Sequence, residues 1–542
     1  MKLVTVPEML AIEKEADQEG ISYSLMMENA GRGLADEIGL LAYSEDDERE
    51  VLGLVGSGNN GGDTLIALAH LAADGWRSRA YLIHRKTDGD GLVDRLKNEG
   101  GEIILLENDS KFDQLSAFVS TADVVVDGVL GTGFKLPLKP ELASTLAAVN
   151  TAIAELSWPP YVVAVDCPSG VDSNTGEAAD DVIPASVTVC MAAVKQGLLK
   201  FPAFELVGEL RVVEIGLDET VTAWTKINHF VADDEIVADI LPLRPSDSHK
   251  GTFGTTLIVA GSINYTGAPL LAGKAAYRSG AGLVQLAVPS PVQIAIAGQL
   301  PEATWIMLPQ QMGVIAEGAA DVLLKNLERA SCLLIGPGLG SEDATRYFIE
   351  NLLKGKAVSK KPAGRIGFIQ ADAEKKDDKN NAFPPLVVDA DGLRLLAKID
   401  GWTKLLPANS ILTPHPGEMA ALTGLDKDLI QADRISIALK FAAEWGQIVV
   451  LKGAFTVIAA PDGRATLIPV ATAALAKAGT GDVLAGLISG LRGQGVDAYD
   501  AAVAGAWIHA QSGLYAAEKV GSDVSVMAGD VLEAIADVLS GF

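Results

Sequence analysis

At 542 residues the chain is too long for one ordinary hydrophobic core, so two or three domains are expected. Its 49% hydrophobic content, 56 glycines and few aromatics fit α/β domains rich in tight turns and exclude a largely disordered chain. A formal charge of -27 repels polyphosphate backbones, which argues against nucleic acid or an anionic membrane as partner. Small anionic ligands stay open, because local backbone amides bind phosphate inside an acidic protein.

The N-terminal stretch MKLVTVPEMLAIEKEADQEG is charged throughout and lacks the apolar core of a signal peptide. Cys167, Cys190 and Cys332 have no CxxC spacing, so neither a disulfide framework nor a zinc site is expected. Both features suit a cytoplasmic protein. Two charge-free runs, from Gly251 to Gly273 and from Leu283 to Pro301, are broken by Gly, Pro, Asn or Gln and read as buried strand-turn-helix segments.

From Pro7 to Ala35 apolar residues recur at helical spacing, with Gly20 dividing two helices. VLGLVGSGNNGGD then runs a strand, Val51 to Val55, into a glycine turn and a helix from Asp63, the arrangement in which amides and helix dipole hold a phosphate. VVVDGVLGTGFKLP ends a strand on Asp127 before a second Gly-rich loop, and YVVAVDCPSGVD ends another on Asp166. Ligands of open parallel sheets bind outside such strand ends, so these are expected to converge on one crevice; turn capping is the alternative for each Asp singly.

LMMENAG, GSGNNGGD, DGVLGTGFKLP and DCPSGVD, in that order and spacing, resemble the NAD(P)H-hydrate epimerase domain over roughly residues 1 to 220. The resemblance implies a Rossmann-like fold and a potassium ion held by Asn60, Asp127 and Ser169. It also implies that a hydrated dinucleotide is lined by Asn59, Asn60, Gly61, Gly62 and Asp63, by Gly131, Thr132, Gly133, Phe134, Lys135, Leu136 and Pro137, and by Asp166. Hard oxygens suit an alkali cation, and Asp166 is the catalytic candidate, exchanging a proton while carbon 6 of the hydrated ring inverts. Cys167 stands where an aliphatic residue is expected.

Between Asp218 and Lys250 the strand-loop-helix rhythm lapses, which places a linker at about residues 217 to 235 and a second domain over 236 to 542. TTLIVAGS, CLLIGPGLG and PLVVDADGL each run a buried strand into a glycine or acidic turn, with Ala-rich helices between, the alternation of a mostly parallel sheet. In AKAGTGDVLAGLISGL the amides of Gly479, Thr480 and Gly481 can surround an oxyanion, and Asp482 stands beside them as acceptor for a hydroxyl proton. Helix capping is the competing role for Asp482.

GTGD resembles the anion loop and base of ribokinase-like kinases, which alone leaves open an ordinary kinase with a stable phosphomonoester product. HKGTFG, GSINYTGAP, RSGAGLV, GPGLG, DADGL, TPHPGEM and KGAFT together resemble the ADP-dependent NAD(P)H-hydrate dehydratase domain. That resemblance assigns Ala268, Gly338 or Gly340, His415 and Asp482 to the hydrated dinucleotide, and Lys452, Gly453, Ala454, Phe455, Thr456 and Gly481 to the adenine nucleotide, with Gly479 and Thr480 in the same loop. His415 as a satisfied turn histidine, and Lys452 as a solvated charge, are the alternatives.

The implied substrates are NADH-hydrate and NADPH-hydrate, with ADP as co-substrate and Mg²⁺ on its phosphates; a homo-oligomer is expected. VATAALAKAGTGD departs from the resemblance, having no Gly-Asn pair before GTGD, and residues 356 to 385 read as an inserted surface excursion without a function.

Overall fold

The computed structural model describes residues 1–41, 49–355 and 383–542, so most of the expected insertion lies outside the described residues. The chain forms two compact units, Met1–Val231 and Ala232–Phe542.

In the first unit seven strands lie parallel in the order Glu102–Leu105, Arg77–Leu82, Glu50–Val55, Val124–Gly128, Tyr161–Val165, Val187–Met191 and Glu209–Val213. The chain builds outward from Glu50–Val55 in one direction and returns to its other flank at Val124–Gly128. The strand order therefore reverses between these two strands, where an α/β sheet opens a ligand crevice. Valines and leucines such as Val51, Val55, Val124, Val126 and Val163 are buried, as a sheet covered on both faces requires. The two N-terminal helices, Val6–Gln18 and Tyr23–Leu41, bury Met9, Ile12, Met26, Ala30 and Leu34. A capping box closes the first: Glu8 N–H donates to Thr5 Oγ1 at 3.3 Å, and Thr5 N–H to Glu8 Oε2 at 2.8 Å.

The stretch expected as a linker is not an open tether. It carries a short helix, Thr222–Thr225, and a strand, His229–Val231, that bridges to Lys2. Val221 and Val231 are fully buried, and Lys2 lies 4.0 Å over the Trp224 ring, so apolar anchors hold this stretch to the first unit.

The second unit is built on strands in the order Ala465–Leu467, Val457–Ala459, Ile448–Leu451, Ile411–Leu412, Leu386–Val388, Cys332–Ile335, Thr255–Val259, Leu283–Pro289 and Thr304–Leu308. In this sheet the Ile448–Leu451 and Ala465–Leu467 strands each pair antiparallel with Val457–Ala459. Its switch point falls between Thr255–Val259 and Cys332–Ile335, whose following loops meet where Gly261 N–H donates to the Pro337 carbonyl at 2.8 Å. The C-terminal glycine string divides by role. A Cβ on Gly486 would lie 2.3 Å from the Ala272 carbonyl, and one on Gly490 2.0 Å from Ser279 Oγ, so these two let helix Thr480–Gly493 pack against Gly267–Arg278. Gly479, at φ +92°, makes the turn into that helix.

Candidate active sites

In the first unit the glycine run begins the helix instead of preceding it. The helix spans Asn59–Ala73 with Gly58 as N-cap and no side-chain cap, so the amides of the NNGGD segment are its free N-terminal donors. Asn60 is buried here, and its Nδ2 donates to the carbonyls of Val165 and Leu130, tying the helix to both neighbouring strand ends. Leu130 N–H donates to Ser169 Oγ at 2.8 Å; Ser169 donates through Oγ and N–H to the two oxygens of Asp127, at 2.5 and 2.7 Å. Burial raises the Asp127 carboxyl above its ordinary pKa, and the Ser169 hydrogen bonds oppose this. A Cβ on Gly131 would lie 2.4 Å from Asn60 Oδ1, so that position demands glycine.

The loop beyond Gly131 carries Thr132 and Gly133, and Phe134, Lys135 and Pro137 line a cavity of about 540 Å³ with Gly56 and Ser57; Pro137 follows a cis peptide from Leu136. Asn59 and Asp63 line a separate cavity of about 260 Å³ with Glu13, Met26, Met27 and Met191. Burial pushes Asp63 up to about 8, with Asp166 and Glu13 adding and Lys195 opposing. Asp166 itself sits at φ +64°, a conformation that non-glycine residues adopt rarely and mostly where surroundings enforce it. Its Oδ1 accepts from Met191 N–H at 2.9 Å and from the Lys195 ammonium.

In the second unit a cavity of about 430 Å³ is lined by His415, Lys452, Gly453, Ala454, Thr456, Thr480, Gly481 and His509, with Ile468, Val470, Leu475 and Leu484 as its apolar wall. Phe455 does not line it. Its side chain is buried while its N–H donates to the Val470 carbonyl, because the turn at φ +53° sends the apolar ring to the core and leaves its neighbours facing the cavity. Where the expected Gly-Asn pair is missing, Thr472, Ala476 and Lys477 form the wall.

Asp482 is not the helix cap. Gly479 occupies the N-cap of Thr480–Gly493, and no side-chain cap hydrogen bond is made there. Burial pushes the Asp482 carboxyl up to about 7, with Asp389 and Asp391 adding and Lys452 opposing. Lys452 is no solvated charge either: its Nζ is 2.6 Å from Asp389 Oδ1 and 3.8 Å from Glu418 Oε2. Burial alone would lower its pKa, but these carboxylates outweigh it and the ammonium lies above its ordinary value. His415 caps helix Pro416–Thr423: its Nδ1 accepts from Gly417 and Glu418 N–H, leaving Nε2 to donate to Glu418 Oε1 at 3.2 Å. The ring thus has a structural role as well as an edge on the cavity. Ala268 and Gly338 face each other at the switch point, a Cβ on Gly338 lying 2.9 Å from that of Ala268, and Gly340 N–H donates to Asp391 Oδ2 at 2.9 Å.

Residues 256–536 match the family model described as NAD(P)H-hydrate dehydratase, and residues 24–197 that of the YjeF-related protein N-terminus. A bifunctional NAD(P)H-hydrate repair enzyme of Moorella thermoacetica is 37% identical over 99% of this chain and 97% of its own length. The chain belongs to the bifunctional NAD(P)H-hydrate repair enzyme family. The repair enzyme of Escherichia coli is 32% identical over 92% of this chain and 86% of its own. The ADP/ATP-dependent NAD(P)H-hydrate dehydratase of Bacillus subtilis, co-crystallized with ATP/Mg²⁺, is 31% identical, with a TM-score of 0.47 over 58% of this chain and 99% of its own.

Several polar groups at the two sites of this repair-enzyme family member escape sequence reasoning. Lys195, Glu13 and His509 lie in none of the quoted motifs, and Asp389 and Glu418 stand inside DADGL and TPHPGEM without an assigned role. The signal available was a charge inside an apolar run: Lys195 follows VTVCMAAV, and His509 lies in an Ala-rich helix. Burial pushes His509 down to about 4, so the ring is neutral at pH 7 and its Nε2–H donates to the Thr480 carbonyl at 2.8 Å, bracing the anion loop.

The raised Asp482 also carries a stability consequence. A folded-state pKa of about 7, against 3.8 for the unfolded chain, stabilises the fold fully below pH 3.8, and that contribution is lost as pH rises through 7. Asp482→Asn, uncharged throughout, is therefore expected to melt higher than the parent at pH 8.5 and to lose more than half of that advantage by pH 5. Discounted for partial solvent access, the gain is about 2 kcal/mol, or roughly 4 °C in Tm. Loss of an N-cap would instead lower Tm at both pH values.

Proposed function

We propose that this chain repairs hydrated NADH and NADPH: the first unit interconverts the R and S hydrates, and the second dehydrates the S hydrate at the expense of ADP, releasing AMP and phosphate. The observation that carries this reading is Asp482, a half-buried carboxylate one residue beyond Gly481, whose loop walls a nucleotide-sized cavity together with Lys452.

Hydroxide is a poor leaving group, so the C6 hydroxyl must be activated before the ring can be restored. Asp482 takes the hydroxyl proton as that oxygen attacks the β-phosphorus of ADP. The Gly479, Thr480 and Gly481 amides take up the charge developing on the phosphoryl oxygens, and the Lys452 ammonium lies beside them. Cleavage of the C6–O bond then releases phosphate, and loss of a C5 proton restores the double bond. Ala268, Gly338 or Gly340 and His415 hold the hydrated dinucleotide; Gly453, Ala454 and Thr456 hold the nucleotide. Among the described residues Asp389 Oδ2 is buried without a hydrogen-bond partner, a hard oxygen of the kind Mg²⁺ takes. When bound, the metal would neutralise charge on the ADP phosphates.

In the first unit Asn60, Asp127 and Ser169 offer hard oxygens in one connected network around a fully buried carboxylate, a donor set that fits potassium. The ion would offset the charge of the ligand's phosphates. Asn59 to Asp63 and Gly131 to Pro137 bind the hydrated dinucleotide, and Asp166 takes and returns the C6 hydroxyl proton while a bond at C6 opens and re-forms on the other face, which inverts that carbon. Among the described residues no helix is long and apolar enough to cross a membrane, which is consistent with a cytoplasmic enzyme; we also propose a homo-oligomer.

The test is absorbance at the reduced-nicotinamide band after mixing purified R hydrate with enzyme and ADP. Full recovery is expected, with one AMP and one phosphate per coenzyme. An ordinary kinase would leave a stable phosphomonoester and no absorbance, which would overturn the reading.

A further inference from the structure

Asp166 is held from one side only. Oδ1 accepts from Met191 N–H and from the Lys195 ammonium, whereas among the described residues no hydrogen bond reaches Oδ2. The residue is 7% exposed, so the unengaged oxygen retains an opening. Lys195 is 1% exposed, and its Nζ also donates to the Met191 carbonyl at 3.1 Å. Its backbone is fixed by a two-residue parallel ladder that pairs Val4 with Lys195 and Leu3 with Val194. Burying an ammonium costs several kcal/mol unless it is paired and hydrogen-bonded, so a lysine in this place needs a reason.

The other titratable groups facing the pair are Glu13 from the N-terminal helix and Asp63 from the helix that the glycine run begins, with the Cys167 and Cys190 thiols alongside. Three carboxyl groups therefore surround one ammonium, and among the described residues Asp166 is the one of the three to which it donates a hydrogen bond. From this arrangement we infer that Lys195 is a positioning residue for the epimerase reaction: it occupies Oδ1 of Asp166 and leaves Oδ2 as the oxygen that meets the hydrated ring. Lys195 does not touch substrate; it acts through Asp166. The inference rests on the epimerase reading of the first unit.

The experiment uses the full chain and follows interconversion of purified R and S hydrates without ADP. Lys195→Met keeps the length of the side chain and removes its charge; kcat is expected to fall by about 10²-fold with KM within about threefold. Lys195→Arg, which keeps the charge, is expected to recover at least about tenfold of that loss. Because the lysine works through Asp166, the double variant Asp166→Asn/Lys195→Met should be no slower than Asp166→Asn alone, within about threefold. A structural role alone would add its cost to the double variant and lower the melting temperature without splitting kcat from KM.

Parent-like kcat in Lys195→Met, or additive losses in the double variant, would overturn the inference. Should Lys195→Met not fold, the uncharged double variant decides: equality with Asp166→Asn supports the role and a further loss refutes it. Failure of the parent itself to interconvert the hydrates would remove the epimerase reading and this inference with it, whereas a competent parent with an equally competent Lys195→Met removes the inference alone.

Discussion

Asp482→Asn is expected to stop ADP-dependent dehydration of the S hydrate while R and S interconversion continues at the parent rate. The amide retains the shape of the carboxylate but has no lone pair basic enough to take the hydroxyl proton. The expected loss is therefore about 10² to 10⁴ in kcat, with KM for ADP little changed, because the cavity walls at Lys452, Gly453, Ala454 and Thr456 are untouched. The structure sharpens this test, since the N-cap is Gly479 and the Asp482 side chain makes no cap hydrogen bond to lose. Coupled release of phosphate and recovery of reduced coenzyme measures it. A folded variant within about threefold of the parent rate would leave Asp482 with no part in proton transfer.

Asp166→Asn should show the reciprocal pattern. R-to-S exchange is expected to fall by about 10² to 10⁴, while the S hydrate is still converted fully with ADP. With R hydrate as sole substrate, the variant should recover reduced coenzyme only as fast as the R form equilibrates without catalysis. The substitution also leaves the Lys195 ammonium without its anionic partner in a buried place, so a drop in the melting temperature of the first unit is expected with it. The intact dehydratase activity, read in the same tube, separates that local cost from general unfolding. Undiminished exchange would refute the assignment of Asp166.

The parts of both sites that were legible are local along the chain. GSGNNGGD and AKAGTGD each place several backbone amides at a helix start, a geometry that depends on glycine and on neighbours within one turn. Even so, the helix bounds moved: the first helix starts at Asn59, not Asp63, because with no side-chain cap to mark the start the whole glycine run could join the helix. The glycine string after GTGD shows a different limit. Gly479 and Gly486 look alike in sequence, but one turns the chain and the other admits a neighbouring helix, a distinction set by what packs alongside.

The amino-acid sequence by itself determined that the chain holds two α/β units and that carboxylates stand at strand ends and beside glycine loops. Those features follow from strand periodicity and turn chemistry, which act over a few residues. Tertiary structure alone decided how the carboxylates are paired and aimed. Lys195 reaches Asp166 across 29 positions, and Lys452 reaches Asp389 across 63. Both pairs depend on the order of strands in a sheet, as does the Asn60 link to Val165, and the His509 brace on Thr480 depends on two helices packing together. A charge in an apolar run announces that a partner must exist, because an unpaired buried ion is too costly to keep; only the folded sheet says which residue that partner is.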